Sequence, residues 1–250
     1  MDDFWKELKS YTSARVGIGA AGTSLKTQSL LHFRQGHAQA RDAVHAELNT
    51  IFLMNEISSH LNLSSIQVHS NAIDRFTYLK NPNAGRVLDE ASQHKLQNLI
   101  HSSTDLCFVI ADGLSATAVN THVLSLLQKV LENLNNAFTI SPIIIAANGR
   151  VALGDEIGFI LKAKVVVVLI GERPGLTTPD SLGIYITYNP QPGLTDECRN
   201  CISNIHGKGL SYDLAAAKLV YLINKSLRLK ISGVQLKEDY NNTLTNFNHG

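Results

Sequence analysis

The stretch Val165–Gly175, VVVVLIGERPG, decides how the chain folds. Six apolar residues run from Val165 to Ile170 without a polar interruption, the pattern of a strand covered on both faces. Gly171 ends the run, and Glu172, Arg173 and Pro174 follow before Gly175. In open parallel sheets the carboxyl ends of the strands are where ligands sit. The stretch therefore predicts a core strand that delivers a carboxylate and a guanidinium to a ligand-facing loop.

Outward from it the pattern is regular. LCFVIADG reads as a buried strand, followed by the helix LSATAVNTHVLSLLQKVLENL with Ser115 or Thr117 placed to cap it. FTISPIIIAANG is the next strand, DEIGFILKA a short helix, LGIYITYNP one more strand, and SYDLAAAKLVYLINKSLRL a closing helix. Strands alternating with helices predict right-handed crossovers and a largely parallel sheet. Towards the amino terminus, SLKTQSLLHFRQGHAQARDAVHAEL and TIFLMNEISSHL read as helices, and SSIQVHS and RFTYLK as short strands. The fold class expected is α/β, a Rossmann-like, largely parallel sheet with helices on both faces. A small helical N-terminal domain over 1–65 precedes the α/β domain over 66–236, and 237–250 is a polar, fraying tail.

Composition narrows the function classes. Of 250 residues, 44% are apolar and 17% charged, and the net charge of +1 offers no field to nucleic acid or an anionic membrane. No apolar run approaches the roughly 18 residues of a membrane-spanning helix. The start, MDDFWKELKS, is acidic and amphipathic, unlike a secretory signal. Three cysteines, an odd number in a long chain, fit a reducing cytoplasm. These features predict a soluble cytoplasmic protein.

Several motifs carry possible chemistry. GIGAAG, Gly17–Gly22, matches the dinucleotide fingerprint, with Asp42 at the distance of the ribose-binding acid. No strand precedes it and Asp42 falls inside a helical pattern, so a glycine-rich linker between helices is the preferred reading. CRNC, Cys198–Cys201, with His206 nearby, lacks the further ligands of a zinc site and the strand-to-helix setting of a redox dithiol. Cys107, inside an apolar run, reads as a small core residue. Asp112-Gly113 before a helix with hydroxyls in its first turn suits an anion, and equally a cap that satisfies its own amides. NGRVALGDE ends the next strand in the same manner. With GERPG, three consecutive strand exits carry glycine beside a charged residue, which predicts a shaped rim for a ligand or another chain. The sequence has no Ser-His-Asp elbow, Walker A loop or HExxH, and no catalytic carboxylate pair. Motifs alone describe a binding domain rather than a self-sufficient enzyme.

TSARVGIGAAG, KTQSLLHF, VIADGLSATAVN, GRVALGDEIGFILKAKVVVVLIGERPGL and CISNIHGKG, in this order, resemble the light chain of ethanolamine ammonia-lyase, from about Tyr11 to Gln235. GERPGL followed by CISNIH is the specific part. The resemblance implies an adenosylcobalamin-dependent enzyme that converts ethanolamine to acetaldehyde and ammonia by a radical 1,2-migration. It implies a large chain, a (β/α)8 barrel, that carries the chemistry, with this chain as a lid sandwiching the cobalamin. Carried over by motif, the cofactor contacts are Val151 in GRV, Glu172 in GERPG and Cys201 in CISNIH; no catalytic or metal-ligating residue carries over. DxHxxG is missing, and His206-Gly207 lacks the upstream Asp, so the cobalamin is expected base-on. Arg173 is expected to pair with a neighbouring acid or with the large chain. Residence in a bacterial microcompartment is left open, and the short N-terminus argues against a targeting leader. Two other readings compete: a standalone nucleotide- or flavin-dependent oxidoreductase, and a scaffold subunit that touches no cofactor.

Overall fold

In the computed structural model, which describes residues 2–12, 16, 20–21, 23–99 and 103–237, the chain opens with helix α1 (Asp2–Tyr11). A two-residue antiparallel ribbon follows, β1 (Ala20–Ala21) with β2 (Ser24–Leu25). Next come α2 (Thr27–His45), α3 (Thr50–Leu61), β3 (Ser65–His69), α4 (Arg75–Lys80) and α5 (Glu90–Gln97). The remainder is β4 (Thr104–Ala111), α6 (Ala116–Leu134), β5 (Ile143–Ala147), α7 (Leu153–Ile160), β6 (Ala163–Gly171), β7 (Leu182–Tyr188), β8 (Arg199–Ile205) and α8 (Tyr212–Leu229).

The helices start where short polar side chains can take up orphan amides. Asn49 accepts from the Phe52 amide, Asp89 from Ser92, Ser115 from Ala118 and Ser211 from Leu214. Asn62 and Asn135 close α3 and α6 in the left-handed region, at φ of 52° and 49°.

The six-stranded sheet runs β3-β5-β4-β6-β7-β8, its first three neighbouring pairs parallel and its last two antiparallel. β6 is central, and all of it is buried except Lys164, which pairs with Asp105 at 2.8 Å. Its alternate residues feed two cores, as an unbroken apolar run requires. Val165, Val167 and Leu169 pack with Val119, Val123 and Leu126 of α6 and Leu219, Leu222 and Ile223 of α8. Val166, Val168 and Ile170 pack on the other face with Leu153 and Ile157 of α7 and Leu96 of α5. Each such side chain contributes roughly 1.5–3 kcal/mol of transfer free energy. Leu53 and Ile57 of α3 are fully buried in the first of these cores.

The mixed α/β sheet with helices on both faces agrees with the sequence, and two local expectations are corrected. RFTYLK is a helix, because the Asp74 carboxylate accepts the Thr77 amide at 2.7 Å and starts a helical turn where the apolar pattern suggested a strand. LGIYITY runs antiparallel to β6, since residues 172–181 join them without a helix and a parallel return needs a crossover of about a dozen residues or more. Arg199–Ile205, to which no element was assigned from the sequence, forms the edge strand beside β7. In GIGAAG, residues 17–19 and 22 lie outside the described residues, and so does 238–250 of the polar tail. Ala20–Ala21 belong to the separate ribbon, not to the six-stranded sheet.

The edge strand is fastened by a buried ion pair. Arg199, 6% exposed, reaches from β8 to Asp155 of α7, 1% exposed, and its guanidinium also bonds Asp196 at 3.0 Å and the Leu194 carbonyl at 3.1 Å. Burial raises the Asp155 pKa to about 6, although Arg199 pulls it down. An unfolded Asp titrates near ~3.9. The folded chain therefore holds that proton more tightly, and this stabilising contribution is complete below pH ~4 and lost as pH rises through about 6. Arg199→Met strands the Asp155 carboxylate, so urea unfolding at pH 8 is expected to show a loss of about 3–5 kcal/mol. At pH 5, with the stranded carboxyl protonated, the loss should be clearly smaller; an equal loss at both pH values contradicts the assignment.

Candidate functional site

The rim at the carboxyl edge of the sheet follows from the strand order. β5, β4 and β6 lie side by side and parallel, so the residues after Ala147, Ala111 and Gly171 emerge together. The connection from β4 returns through α6 to β5 on one side, whereas β6 continues to β7 on the other. Connections diverging from neighbouring strands open a crevice between them. Here the crevice is a cavity of about 420 Å³ lined by Gly113 and Leu114 from the first exit, Arg150 and Val151 from the second, and Gly171, Glu172 and Arg173 from the third. Tyr78, Ile170 and Tyr185 complete its wall.

Asp112 ties the exits together from below. The carboxylate, 4% exposed, accepts the amides of Asn148 at 3.1 Å and Gly149 at 3.0 Å and the Arg75 guanidinium at 3.2 Å. Burial pushes its pKa up, against the pull of Arg75 and the two amides. Arg75 also bonds the carbonyls of Gly113 at 2.8 Å and Val44 at 2.7 Å, which links the rim to the end of α2. At the α6 N-terminus the Ser115 hydroxyl accepts the Ala118 amide at 3.2 Å and donates to the Pro179 carbonyl at 2.8 Å. Asp112 and Ser115 thus serve the protein's own backbone, the second of the two readings open from the sequence.

Glu172 is fixed at one oxygen and open at the other. Its Oε2 accepts the Ser181 hydroxyl and the Asn204 amide, the latter at 3.2 Å, and its backbone amide donates to the Ser181 carbonyl at 2.9 Å. Oε1 has no hydrogen-bond donor among the described residues. A Cβ at Gly183 would stand 3.1 Å from Oε1, so glycine there leaves the carboxylate its room. Arg173 makes no ion pair with an acid among the described residues, so the neighbouring acid of its two expected partners is not found there.

Cys201, exposed, lies on β8 directly opposite Tyr185 of β7. Burial pushes the thiol pKa up, Tyr185 pulls it down and the nearby Glu172 charge raises it further, so the thiol stays protonated. Of the three residues carried over by motif, Val151 and Glu172 line the cavity, and Cys201 does not, although its cross-strand neighbour Tyr185 does. Cys198 is in a different place: it lines a second cavity with Tyr188 and Lys230. Among the described residues no group of three or more His, Cys, Asp or Glu side chains is placed to hold a metal ion.

Sequence reading missed Tyr78, Tyr185, Arg75 and Arg150. The guanidinium of Arg150 lies 4.5 Å from the Tyr78 ring centroid and that of Arg75 4.8 Å, a cation–π arrangement. The Tyr78 hydroxyl donates to the Gly149 carbonyl at 3.2 Å, and burial raises its pKa. Arg150 Nε is buried without an acceptor among the described residues. These residues come from α4, β7 and one strand exit, and no local pattern announces their meeting. The only available signal was the arginine beside Val151 in NGRV.

The family model for the ethanolamine ammonia-lyase light chain (EutC) matches residues 2–237. The chain is similar to the ethanolamine ammonia-lyase small subunit of Pseudomonas fluorescens strain SBW25, 47% identical over 244 residues that cover 95% of this chain and 87% of the relative. It is 46% identical over 241 residues to the small subunit of Xanthomonas campestris pv. campestris, covering 95% and 88%. It is equally 46% identical over 241 residues to that of Pseudomonas aeruginosa strain PAO1, covering 94% and 87%. The chain belongs to the ethanolamine ammonia-lyase light chain family.

Proposed function

From this family membership, we propose that the chain is the small subunit of an adenosylcobalamin-dependent ethanolamine ammonia-lyase. It would hold the periphery of a base-on cobalamin against a large chain that binds ethanolamine and releases acetaldehyde and ammonia. When bound, adenosylcobalamin supplies the radical that starts the 1,2-migration. The observation that carries the reading is the cavity at the three strand exits, with its unspent polar atoms.

Corrin side arms end in primary amides, each of which both donates and accepts hydrogen bonds. Glu172 Oε1 is an open acceptor, and Arg150 Nε and the Arg173 guanidinium are open donors, so the residues present fit such arms. A charge-assisted bond from an amide N–H to Glu172 is the stronger kind. Val151 suits the apolar ring or its methyl groups, and the protonated Cys201 thiol adds a weak donor beside Tyr185. At about 420 Å³ the cavity stands at the low end of the roughly 300–1,000 Å³ typical of small-molecule pockets. It accommodates arms of a corrinoid, not the whole ring, which is why the reading needs a second chain. No helix among the described residues is long and apolar enough to cross a membrane.

A dinucleotide oxidoreductase is the less favoured reading. The fingerprint requires a sheet strand leading into a helix. The described residues of GIGAAG instead lie in a ribbon apart from the main sheet.

Two outcomes follow from the open rim. The purified chain alone should show no ethanolamine turnover and no tight corrinoid binding; stoichiometric binding without a partner contradicts the shared-site reading. In the two-chain complex, Glu172→Gln keeps an acceptor for Ser181 and Asn204 but loses the charge and one acceptor. Corrinoid affinity is expected to fall by about 1.5–3 kcal/mol, roughly ten- to hundred-fold, while the KM for ethanolamine hardly moves. A lowered Tm with unchanged corrinoid titrations would make Glu172 a loop anchor only.

A further inference from the structure

α6 buries Val119, Val123, Leu126 and Leu127, and among them His122, 4% exposed. A polar ring in an apolar core is costly unless its nitrogens are bonded, and both are. Nδ1 lies 2.7 Å from the Tyr212 hydroxyl at the start of α8, and Nε2 lies 3.2 Å from Asp180 Oδ2. A carboxylate only accepts, so Nε2 carries the proton to Asp180, and in the neutral ring Nδ1 accepts from Tyr212. Asp180 is the residue before Ser181, whose hydroxyl and carbonyl hold Glu172. One residue earlier, the Pro179 carbonyl is held by Ser115, the N-cap of α6. The end of the GERPG loop is therefore clamped to one helix at two consecutive residues.

We propose that His122, oriented by Tyr212, is a positioning residue for Glu172: by gripping Asp180 it sets Ser181, which takes Glu172 Oε2 and leaves Oε1 for the cofactor. This rests on the reading of Glu172 as a cofactor ligand. An apolar residue at 122 would fill the core as well but could not fix the loop. The clamp works from outside the cavity, since His122, Asp180 and Tyr212 are not among its lining.

The test uses Asp180→Ala, which leaves the α6 core intact, and Asp180→Asn, whose amide oxygen still accepts from Nε2. In the assembled two-chain complex with hydroxocobalamin as probe, Asp180→Ala should bind roughly ten-fold more weakly, and Asp180→Asn should recover most of the loss. The KM for adenosylcobalamin should rise in Asp180→Ala with the KM for ethanolamine unmoved. Adding Glu172→Gln should cost nothing beyond the weaker single variant, because both act through one contact. In the same complex without corrinoid, the Glu172 amide should exchange hydrogen roughly ten-fold faster in Asp180→Ala. An unchanged exchange rate, or losses that add in the double variant, overturns the clamp. Faster exchange combined with unaltered hydroxocobalamin affinity in Glu172→Gln overturns instead the reading of Glu172 on which it rests.

Discussion

The Leu114 amide donates to the Gly171 carbonyl at 3.0 Å, and this bond holds the exits of β4 and β6 together. It forms only because residue 171 has no side chain: a Cβ there would stand 2.0 Å from the Ser115 carbonyl and 2.6 Å from that of Asp112. Every part of the rim depends on that approach. It seats the start of α6, from which Ser115 reaches Pro179 and His122 reaches Asp180. It also brings Glu172 and Arg173 to the same cavity as Arg150 and Val151. The abrupt stop of the valine run at a glycine is thus a packing requirement at the sheet edge, and its consequence is a site.

Much of this was legible in the sequence, for a physical reason in each case. A strand buried on both faces has to be an unbroken apolar run, so Val165–Ile170 declared its central place. The helices α3, α6 and α8 announce themselves as helical stretches, and α6 also through its capping serine, Ser115. Strand direction is not written in that alphabet, because antiparallel and parallel core strands are equally apolar. The signal for β7 was the lack of a helix between Gly171 and Leu182 rather than anything in LGIYITY. RNCISNI hid as a strand because an edge strand with one half-open face need not be apolar, and burial there is uneven. RFTYLK was decided by one capping carboxylate, which outweighed its strand-like residues.

The site was legible in its outline and not in its wiring. Glycine beside charge at three consecutive strand ends pointed to the rim, and the sheet order then placed those ends in one cavity. The partners of Glu172 lie at Ser181, Gly183 and Asn204, on the following loop and two antiparallel strands, so they could not be inferred without the topology. The same holds for Tyr78, which joins the site from α4, and for Tyr185, which joins it from β7 opposite Cys201. Residues that form the scaffold are local in sequence; residues that tune the rim meet across it. This division fits the proposed role of a surface for a large cofactor, while family membership assigns the lyase reaction to an enzyme of which this chain is one part.

On the proposed function, the three exits form one face against a corrinoid in the assembled enzyme. Amide hydrogen exchange on the two-chain complex, with and without adenosylcobalamin, tests it most directly. Protection that appears only with cofactor, and concentrates at residues 113–114, 150–151 and 172–173, is the result expected. Cofactor-dependent protection confined to the cavity around Cys198 and Lys230 at residues 188–198, or none in this chain, would contradict it.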